Sequence, residues 1–553
     1  MTTQQNLDTY LAEVRRLQDA LRPAGIPAEV TYPAGEITIA AHVSHWAAQR
    51  PAHLALALGD TRYTYAELDD AHRRVATWMS EHGVRRGDRV AVYLGNSTEF
   101  VIAFLALLRL GAVHVPVNPM FQPAELAYEL LDSEPVLVVT NTALAPTLDA
   151  CADRVPAIPV LLTDGSGEFG WESAVSSAPY SGDDGDLESL AALNYTGGTT
   201  GMPKGCQHSQ RHMLYTVASA AAATAMPADG SYVSLCYLPI FWIAGEDLGI
   251  LIPLVLGGSS ILMARWNAAE VVDTIERERV MLMTGTVENY LELMDTQDLA
   301  SRDLSSLLDP QAVSFVRKMT PAVRHRWAEH VPGSVLRESA YGMTETHTID
   351  AVPYGFAAND LDLLSEPVFC GIPVPGTDIA IVELGTQTPV PLGEVGEIIV
   401  RSPSVTDGYW RNEEATREQL VDGWIHTGDN GRIDEQGFIH YLGRRKEMIK
   451  VNGMSVFPAD VEMLLAQHPG VESVAVVPTD DPDTGQRPVA FVVPRTGSDV
   501  TAQELVTWSR ANMARYKVPL VSLLGSLPMT ATGKVRKNEL ADDAAALNAG
   551  VPS

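Results

Sequence analysis

Residues 89–117 read RVAVYLGNSTEFVIAFLALLRLGAVHVPV, and this stretch decides the fold class. An apolar strand from Val90 to Leu94 is followed by Ser97, a residue type suited to cap a helix N-terminus. An apolar helical stretch then runs through Leu110, and Gly111 ends it before a second apolar strand. A strand, a helix and a strand in this order predict a βαβ unit with parallel strands.

Further apolar runs at 136–139, 160–162 and 190–193, separated by helical patterns, extend the prediction to a mainly parallel sheet flanked by helices. Between Gly376 and Arg401 the pattern changes to short alternating strands broken by glycine and proline, which predicts a small β subdomain.

A new α/β pattern begins after Gly443, with a helix predicted near 458–467 and strands near 474–477 and 489–493. We therefore predict an α/β protein with a large N-terminal domain, residues 1–443, and a small mobile α+β C-terminal domain, residues 444–553. Residues 1–40 and 541–553 are expected to be peripheral.

Composition limits the classes of function. At 553 residues the chain is too long for one hydrophobic core, and a net charge of −30 disfavours nucleic acid and anionic membranes as partners. The four cysteines form no C-x-x-C pair, and the first residues lack a secretory signal, so a cytoplasmic location is expected. The charge-free run Leu248–Ala264 is short and is interrupted by Pro253, so we predict a buried helix and a strand rather than membrane insertion.

The loop Tyr195–Gly205 reads YTGGTTGMPKG and combines hydroxyls, glycines and Lys204. Glycines allow successive backbone N–H groups to point at an anion, and the lysine adds a positive charge. The string is not the usual mononucleotide P-loop, which disfavours a kinase or a GTPase. Alone, such a loop would more often be a solvated turn.

Four more strings follow in order: YGMTET at 341–346, TGD at 427–429, GRRKEMIK at 443–450 and PMTATGK at 528–534. With the loop at 195–205, they resemble the core motifs of the adenylate-forming superfamily, which includes acyl-CoA synthetases, luciferases and peptide-synthetase adenylation domains. The resemblance covers about residues 40 to 545 and is greatest to acyl-CoA ligases.

This resemblance implies ATP and Mg²⁺ as cofactors, CoA as a probable co-substrate and a small-molecule acid as substrate. Thr344 would contact the α-phosphate, Glu345 would hold Mg²⁺, Tyr341 would stack on adenine and Asp429 would accept the ribose hydroxyls, with Arg444 nearby. The loop over the β- and γ-phosphates would comprise Thr196, Gly197, Gly198, Thr199, Thr200, Gly201 and Lys204.

Adenylation brings one anion against another, so its barrier is chiefly electrostatic and cations must surround the α-phosphate. By the resemblance, Lys534 would bridge the substrate carboxylate and that phosphate. Lys446 matches the family's hinge between domains, and Lys450 and Gly453 would lie on the face presented to the thiol acceptor after the domain rotates.

The sequence departs from the family pattern in the expected substrate pocket. Trp242 stands where many acyl-CoA synthetases have histidine and where peptide-synthetase domains have aspartate, so an α-amino acid substrate is disfavoured. Two glycines of the pattern become Phe315 and Val316, and Ala-Pro becomes Arg317-Lys318. These two cations are expected to be solvated, although they could hold an anionic substrate if they turned inward. The other predicted pocket residues are Gly342, Met343 and His347.

Three functions are therefore considered. The first is an ATP-dependent acyl- or aryl-CoA ligase, and the second is an adenylating enzyme with another acceptor, such as a carrier-protein loader or a diazotase that activates nitrite for an aryl amine. The third is a nucleotide-binding protein without catalysis, which the presence of Lys204, Glu345, Asp429 and Lys534 disfavours. The acid and the oligomeric state are left open.

Overall fold

The computed structural model describes residues 3–182, 184–196, 202–297, 299–314, 317–365, 368–444, 447–451, 454–482, 484–530 and 534–549. In chain order the helices are α1 (Thr3–Leu21), α2 (Ile39–Gln49), α3 (Tyr65–Glu81), α4 (Thr98–Leu110), α5 (Pro123–Ser133), α6 (Ala145–Asp149), α7 (Trp171–Ser176), α8 (Gln210–Ala223), α9 (Ile243–Glu246), α10 (Ile252–Val255), α11 (Ala268–Glu278), α12 (Val287–Met294), α13 (Pro321–His330), α14 (Leu361–Leu364), α15 (Glu413–Gln419), α16 (Pro458–Ala466), α17 (Ala502–Asn512) and α18 (Ala541–Ala549).

The strands form four sheets. In chain order they are β1 (Leu54–Leu58), β2 (Thr61–Thr64), β3 (Arg89–Tyr93), β4 (Val113–Val117), β5 (Leu137–Thr140), β6 (Val160–Leu162), β7 (Leu190–Thr196), β8 (Lys204–Ser209), β9 (Val233–Cys236), β10 (Ser259–Leu262), β11 (Leu282–Thr286), β12 (Asp309–Val313), β13 (Arg337–Glu338), β14 (Ala351–Val352), β15 (Val368–Pro373), β16 (Asp378–Val382), β17 (Gly396–Arg401), β18 (Leu420–Val421), β19 (Trp424–Ile433), β20 (Ile439–Arg444), β21 (Ile449–Val451), β22 (Met454–Val456), β23 (Val471–Asp481), β24 (Gly485–Pro494) and β25 (Leu520–Leu523).

The βαβ unit expected at residues 89–117 is present as β3, α4 and β4. The Ser97 hydroxyl accepts a hydrogen bond from the Phe100 amide and caps α4, while Gly111 ends the helix with a φ of +64°. Strands β3 and β4 pair in parallel, with Arg89 opposite Val113. Local capping chemistry therefore sets both ends of this helix.

Two mainly parallel sheets make up most of the molecule, as the sequence predicts. One has the order β6-β5-β3-β4-β7-β8 and the other β13-β12-β11-β9-β10-β1-β2, and each carries one antiparallel strand at its edge. The large apolar cluster that includes α4 packs between helices and strands of both sheets. The residues of β7 and β8 form a hairpin, so the 195–205 loop joins two antiparallel strands.

The third sheet is antiparallel and corresponds to the predicted β subdomain, with the order β14-β15-β20-β19-β17-β16 and β18 beside β19. Helix α1 packs on this sheet through the buried side chains of Leu7, Leu11 and Val14. The expectation that residues 1–40 are peripheral is therefore wrong, because the apolar face of α1 completes the core of this sheet.

The fourth sheet, β22-β21-β24-β23 with β25 beside β24, forms a C-terminal α/β unit with α16, α17 and α18. It has apolar clusters of its own on both faces. Strand β20 of the third sheet reaches Arg444, so that sheet extends one residue beyond the predicted domain boundary. The boundary itself stays a prediction.

The apolar run that precedes β10 is helical, as expected, but its helix is irregular. Residues Asp247–Leu251 form a π-helical segment between α9 and α10. Across the described part of the chain, no helix has both the length and the apolar character needed to span a membrane.

Candidate active site

Asp429 lies in β19 opposite Arg444 in β20, and the pairing of these strands brings the two side chains together. The Nε atom of Arg444 is 2.9 Å from Oδ1 of Asp429, and the other carboxylate oxygen accepts a hydrogen bond of 2.8 Å from the Tyr341 hydroxyl. Arg444 also donates to the Thr427 carbonyl oxygen. The three predicted nucleotide-binding residues Tyr341, Asp429 and Arg444 therefore form one contact group.

The Asp429 carboxyl group is almost completely buried. Burial raises its pKa to about 6, although the Arg444 charge and the hydrogen bond from Tyr341 oppose this change. A carboxylate held in a low-dielectric site and still ionised at neutral pH is a strong acceptor for hydroxyl groups.

Lys204 and Glu345 both contact Tyr409, a residue that the sequence motifs do not include. The Lys204 ammonium lies 4.2 Å from the centre of the Tyr409 ring, and the Tyr409 hydroxyl donates a hydrogen bond of 2.8 Å to Oε1 of Glu345. Lys204 opens β8 directly opposite Thr196, the last residue of β7. The hairpin therefore anchors the base of the predicted phosphate loop beside Glu345.

Thr344 and Glu345 lie in a single 3₁₀ turn, Thr344–Thr346. Two backbone contacts fix this turn: the Thr344 carbonyl oxygen is 2.8 Å from Nε2 of the buried His208, and the Glu345 carbonyl oxygen accepts from the Thr406 amide. Gly342 precedes the turn, and a Cβ atom there would lie 1.6 Å from the Thr348 carbonyl oxygen. Only glycine fits this close approach of two backbone segments.

Lys534 directly precedes Val535, which forms a β-bridge with Met529, and the Lys534 amide donates to the Thr530 hydroxyl. Desolvation and then repulsion from Arg444 lower the pKa of the Lys534 ammonium, while the Asp429 charge opposes that change. The residue as a whole is exposed, and the charges of Arg444 and Asp429 both act on its ammonium. Lys534 is therefore electrostatically coupled to the group formed by Tyr341, Asp429 and Arg444.

The two contact groups are also coupled to each other. The charge of Glu345 raises the pKa of Asp429 and acts on Arg444 as well. Lys204, Glu345, Asp429, Arg444 and Lys534, which are spread over 331 positions of the sequence, therefore converge on one region. Three cations and two carboxylates in one place are a suitable environment for a polyphosphate and its metal ion.

The residues predicted for the substrate pocket differ in how deeply they are buried. Trp242 is half-buried at the start of α9 and makes an edge contact with Phe241, while Met343 is half-buried and Gly342 is exposed. His347 is completely buried, and its Nδ1 atom lies 3.1 Å from Oδ1 of Asp247. The role of His347 in the substrate pocket stays a prediction, and its ring pairs with the Asp247 carboxyl group beneath the surface.

Arg317 and Lys318 are not simply solvated, because each lies beside a carboxylate. Arg317 forms an ion pair of 2.6 Å with Glu472, and the Lys318 ammonium is 3.9 Å from Glu462. Both carboxylates belong to the C-terminal α/β unit, in β23 and α16. These two cations therefore join the large domain to the C-terminal unit.

Several predicted residues lie outside the described part of the chain, and their roles stay predictions. Lys450 is described: it is exposed in β21, and its amide donates to the Gln486 side chain. The residues outside the described ranges are Gly197, Gly198, Thr199, Thr200, Gly201, Phe315, Val316, Lys446 and Gly453.

Three residues were missed by the sequence analysis: Tyr409, His208 and Asp247. Tyr409 and His208 have no local signal, since each acts by contacting a residue more than 60 positions away. Asp247 does have a local sequence signal, because Glu246 and Asp247 are two adjacent carboxylates at the start of a long apolar run. Charged residues inside an apolar segment often have a specific partner.

The profile of the AMP-binding enzyme family matches residues 43–410, and that of the AMP-binding enzyme C-terminal domain matches residues 460–534. Feruloyl-CoA synthase from Amycolatopsis sp is 34% identical over 494 residues, which cover 89% of this chain and 96% of that protein.

Solved structures agree with this assignment. The ATP-bound MatB from Rhodopseudomonas palustris superimposes with a TM-score of 0.81 at 28% identity, covering 93% of this chain and 100% of that one. The amide bond synthetase McbA from Marinactinospora thermotolerans has a TM-score of 0.79 at 27% identity, covering 91% and 99%. The chain therefore belongs to the AMP-binding enzyme family, and it is an ATP-dependent, AMP-forming ligase of the adenylate-forming superfamily.

Proposed function

We propose that this protein is an acyl- or aryl-CoA ligase, which adenylates a carboxylic acid with release of pyrophosphate and then transfers the acyl group to the thiol of CoA. The observation that carries this proposal is the convergence of Lys204, Glu345, Asp429, Arg444 and Lys534. These groups supply the positive charge that the attack of a carboxylate on the α-phosphate needs.

The roles proposed for individual residues come from the family resemblance and fit the chemistry of each side chain. The Asp429 carboxylate accepts the ribose hydroxyls, the Tyr341 ring packs on adenine, and Lys204 attracts the outer phosphates. Thr344 donates to the α-phosphate, and Lys534 brings its ammonium between that phosphate and the substrate carboxylate.

Mg²⁺ fits the Glu345 carboxylate, because this ion prefers hard oxygen ligands and keeps few protein ligands when it binds a nucleotide. Within the described ranges, no three His, Cys, Asp or Glu side chains cluster as a metal site. Glu345 would therefore act with phosphate oxygens rather than within a protein cage.

CoA as acceptor is supported by the similarity to feruloyl-CoA synthase over most of both chains. A second candidate is a different acceptor, an amine or a carrier-protein thiol, which the comparable likeness to an amide bond synthetase supports. A diazotase that activates nitrite for an aryl amine belongs to this second class.

One assay separates these functions. The purified protein is incubated with ATP, Mg²⁺ and panels of hydroxycinnamates, benzoates, fatty acids or nitrite, and pyrophosphate release is followed with and without CoA. We expect turnover that depends on CoA and on one class of acid. Turnover with an amine but not with CoA would select the second candidate, and no turnover with any acid or nitrite would contradict both.

The Lys534→Ala variant tests the proposed chemistry within the same assay. We expect it to slow acyl-adenylate formation by about a hundredfold to a thousandfold while sparing thioester formation from a supplied acyl-adenylate. Arg536→Ala is the matched control, because this nearby exposed cation pairs with Glu539 on its own turn. Equal loss of both half-reactions in Lys534→Ala would contradict the role of Lys534.

A further inference from the structure

The buried carboxylate of Asp247 contacts two consecutive residues that follow the turn carrying Thr344 and Glu345. Its Oδ1 atom lies 3.1 Å from Nδ1 of His347, and its Oδ2 atom accepts a hydrogen bond of 2.5 Å from the Thr348 hydroxyl. Asp247 and His347 have no exposed surface. Asp247 also begins the π-helical segment Asp247–Leu251, an irregularity often found at functional sites.

Both residues held by Asp247 have an unfavourable backbone conformation. His347 has a φ of +57° and Thr348 a φ of +72°, in the left-handed region that favours glycine. The conformation is especially costly for a β-branched residue such as Thr348, and it persists only where surrounding contacts hold it. The two contacts to Asp247 provide such support.

This strained pair is continuous with the proposed catalytic turn. His347 follows Thr346 directly, and its carbonyl oxygen accepts a hydrogen bond from the Thr216 hydroxyl. On the other side, the Thr348 carbonyl oxygen occupies the space that a side chain at Gly342 would need. A shift of residues 347 and 348 would therefore displace both ends of the turn that carries Thr344 and Glu345.

The charges around His347 favour an ion pair with Asp247. Although burial opposes protonation, Asp247 and then Glu246 raise the pKa of His347 above its ordinary value. The histidines that face it from β8 and α8, His208 and His212, have lowered pKa values because they are buried and lie near His347. Burial raises the pKa of Glu246 to about 8, although the His347 charge opposes this change. Asp247 is the carboxyl group in direct contact with the His347 ring.

We propose that Asp247 and His347 are positioning residues for adenylation: they clamp the left-handed segment 347–348 and so hold Thr344 and Glu345 in place. This inference rests on the proposed function, because Thr344 and Glu345, which lie in the turn that these two residues hold, are proposed to act in adenylation. Neither Asp247 nor His347 needs to touch the substrate or ATP.

The primary test compares Asp247→Asn with Glu246→Gln. Asparagine keeps the shape of Asp247 but removes its charge, and we expect pyrophosphate release to fall by about tenfold to a hundredfold through kcat, since small misplacements of catalytic groups have effects of this size. Glu246 is the adjacent buried carboxyl and makes none of the contacts to 347–348. Because glutamine keeps the shape of Glu246 and can still accept the hydrogen bond from Asn194, Glu246→Gln is expected to keep wild-type kcat.

A further measurement separates positioning from general destabilisation. Hydrogen exchange of amides 344–350 in the ligand-free protein is expected to accelerate by about tenfold in Asp247→Asn and to stay unchanged in Glu246→Gln.

Glycine at both strained positions provides the decisive control. Glycine adopts a positive φ at little cost, so the clamp becomes dispensable in His347→Gly/Thr348→Gly. Adding Asp247→Asn to the double-glycine variant is expected to reduce kcat by less than about threefold relative to that variant. This comparison can be made even if Asp247→Asn alone fails to fold. An undiminished loss in that background, or equal effects of Asp247→Asn and Glu246→Gln, would overturn the inference.

The proposed function can fail separately from this inference. If wild-type protein releases no pyrophosphate with any acid or nitrite, the proposed function is wrong, and hydrogen exchange still tests whether Asp247 holds residues 344–350. If the wild type turns over and Asp247→Asn equals it in kcat and exchange, only the positioning role is wrong.

Discussion

The nearly buried Asp429 carboxylate is held by the Tyr341 hydroxyl on one oxygen and by the Arg444 guanidinium on the other. These neighbours fix the orientation of the carboxylate before any ligand is bound, so little reorganisation would be needed for it to accept the ribose hydroxyls of the proposed nucleotide. The cost of this arrangement is burial of a charge, which the raised pKa of Asp429 reflects.

At the residue scale we expect ATP binding to weaken as the pH falls through about 6, because the ionised form of Asp429 is lost there. The KM for ATP of the wild type should rise below that pH, whereas Asp429→Asn should show a KM raised by about tenfold that changes little with pH. Steady-state kinetics from pH 5 to about 8 provides the measurement, a window that spans the shifted pKa.

Glu435→Gln is the matched control for this experiment, since Glu435 is an exposed carboxylate on the loop that joins β19 to β20. Its KM should follow the wild type across the pH range. A pH profile of Asp429→Asn that coincides with that of the wild type would assign the titration to another group.

At the scale of single elements, helix α1 contributes to the core of the third sheet. Leu7, Leu11 and Val14 are buried on one face, while Arg15 forms a two-pronged contact with Asp378 of β16 and Gln18 donates to the Gly437 carbonyl oxygen. Asp429 lies in β19 of the same sheet, so α1 packs on the sheet that carries part of the proposed nucleotide site.

We expect Leu11→Ala to reduce the free energy of unfolding by about 2–5 kcal/mol, because it leaves a cavity where a leucine side chain was buried. Arg16→Ala, an exposed change on the same helix, should alter stability by less than about 0.5 kcal/mol. Denaturant unfolding of both variants is the measurement. Equal stabilities would show that α1 does not pack as described.

The elements also show which features a sequence can predict. Helix α4 was predicted to within a residue because Ser97 and Gly111 mark its ends by local chemistry. The burial of α1 was missed because its partner strands lie more than 350 positions away. For the same reason the motifs located Glu345 and Asp429 but not Tyr409 or His208, whose roles arise only from contacts made in the folded chain.

At the scale of the whole molecule, ion pairs join the large domain to the C-terminal unit that carries Lys534. Arg317 contacts Glu472, and Glu462 lies between Lys318 of the large domain and Lys537 of the C-terminal unit, at 3.9 Å and 2.9 Å. Lys537 is three residues beyond Lys534. These contacts therefore favour the domain orientation in which Lys534 is near Asp429 and Arg444.

Reversing the charge of Arg317 should weaken that orientation. The Arg317 and Glu472 side chains are 24% and 29% exposed, so their attraction is modest, and we expect Arg317→Glu to slow acyl-adenylate formation by about threefold to tenfold at low salt. Thioester formation from a supplied acyl-adenylate should be unchanged or faster, because it does not need Lys534 in this position. The effect should shrink as salt screens the charges.

The swap Arg317→Glu/Glu472→Arg restores opposite charges and should return acyl-adenylate formation to within about twofold of the wild type. Arg326→Glu is the control, because Arg326 pairs with Asp295 inside the large domain and has no contact across the boundary. Failure of the swap to rescue, or an equal effect of Arg326→Glu, would mean that the Arg317 ion pair does not hold Lys534 at the site.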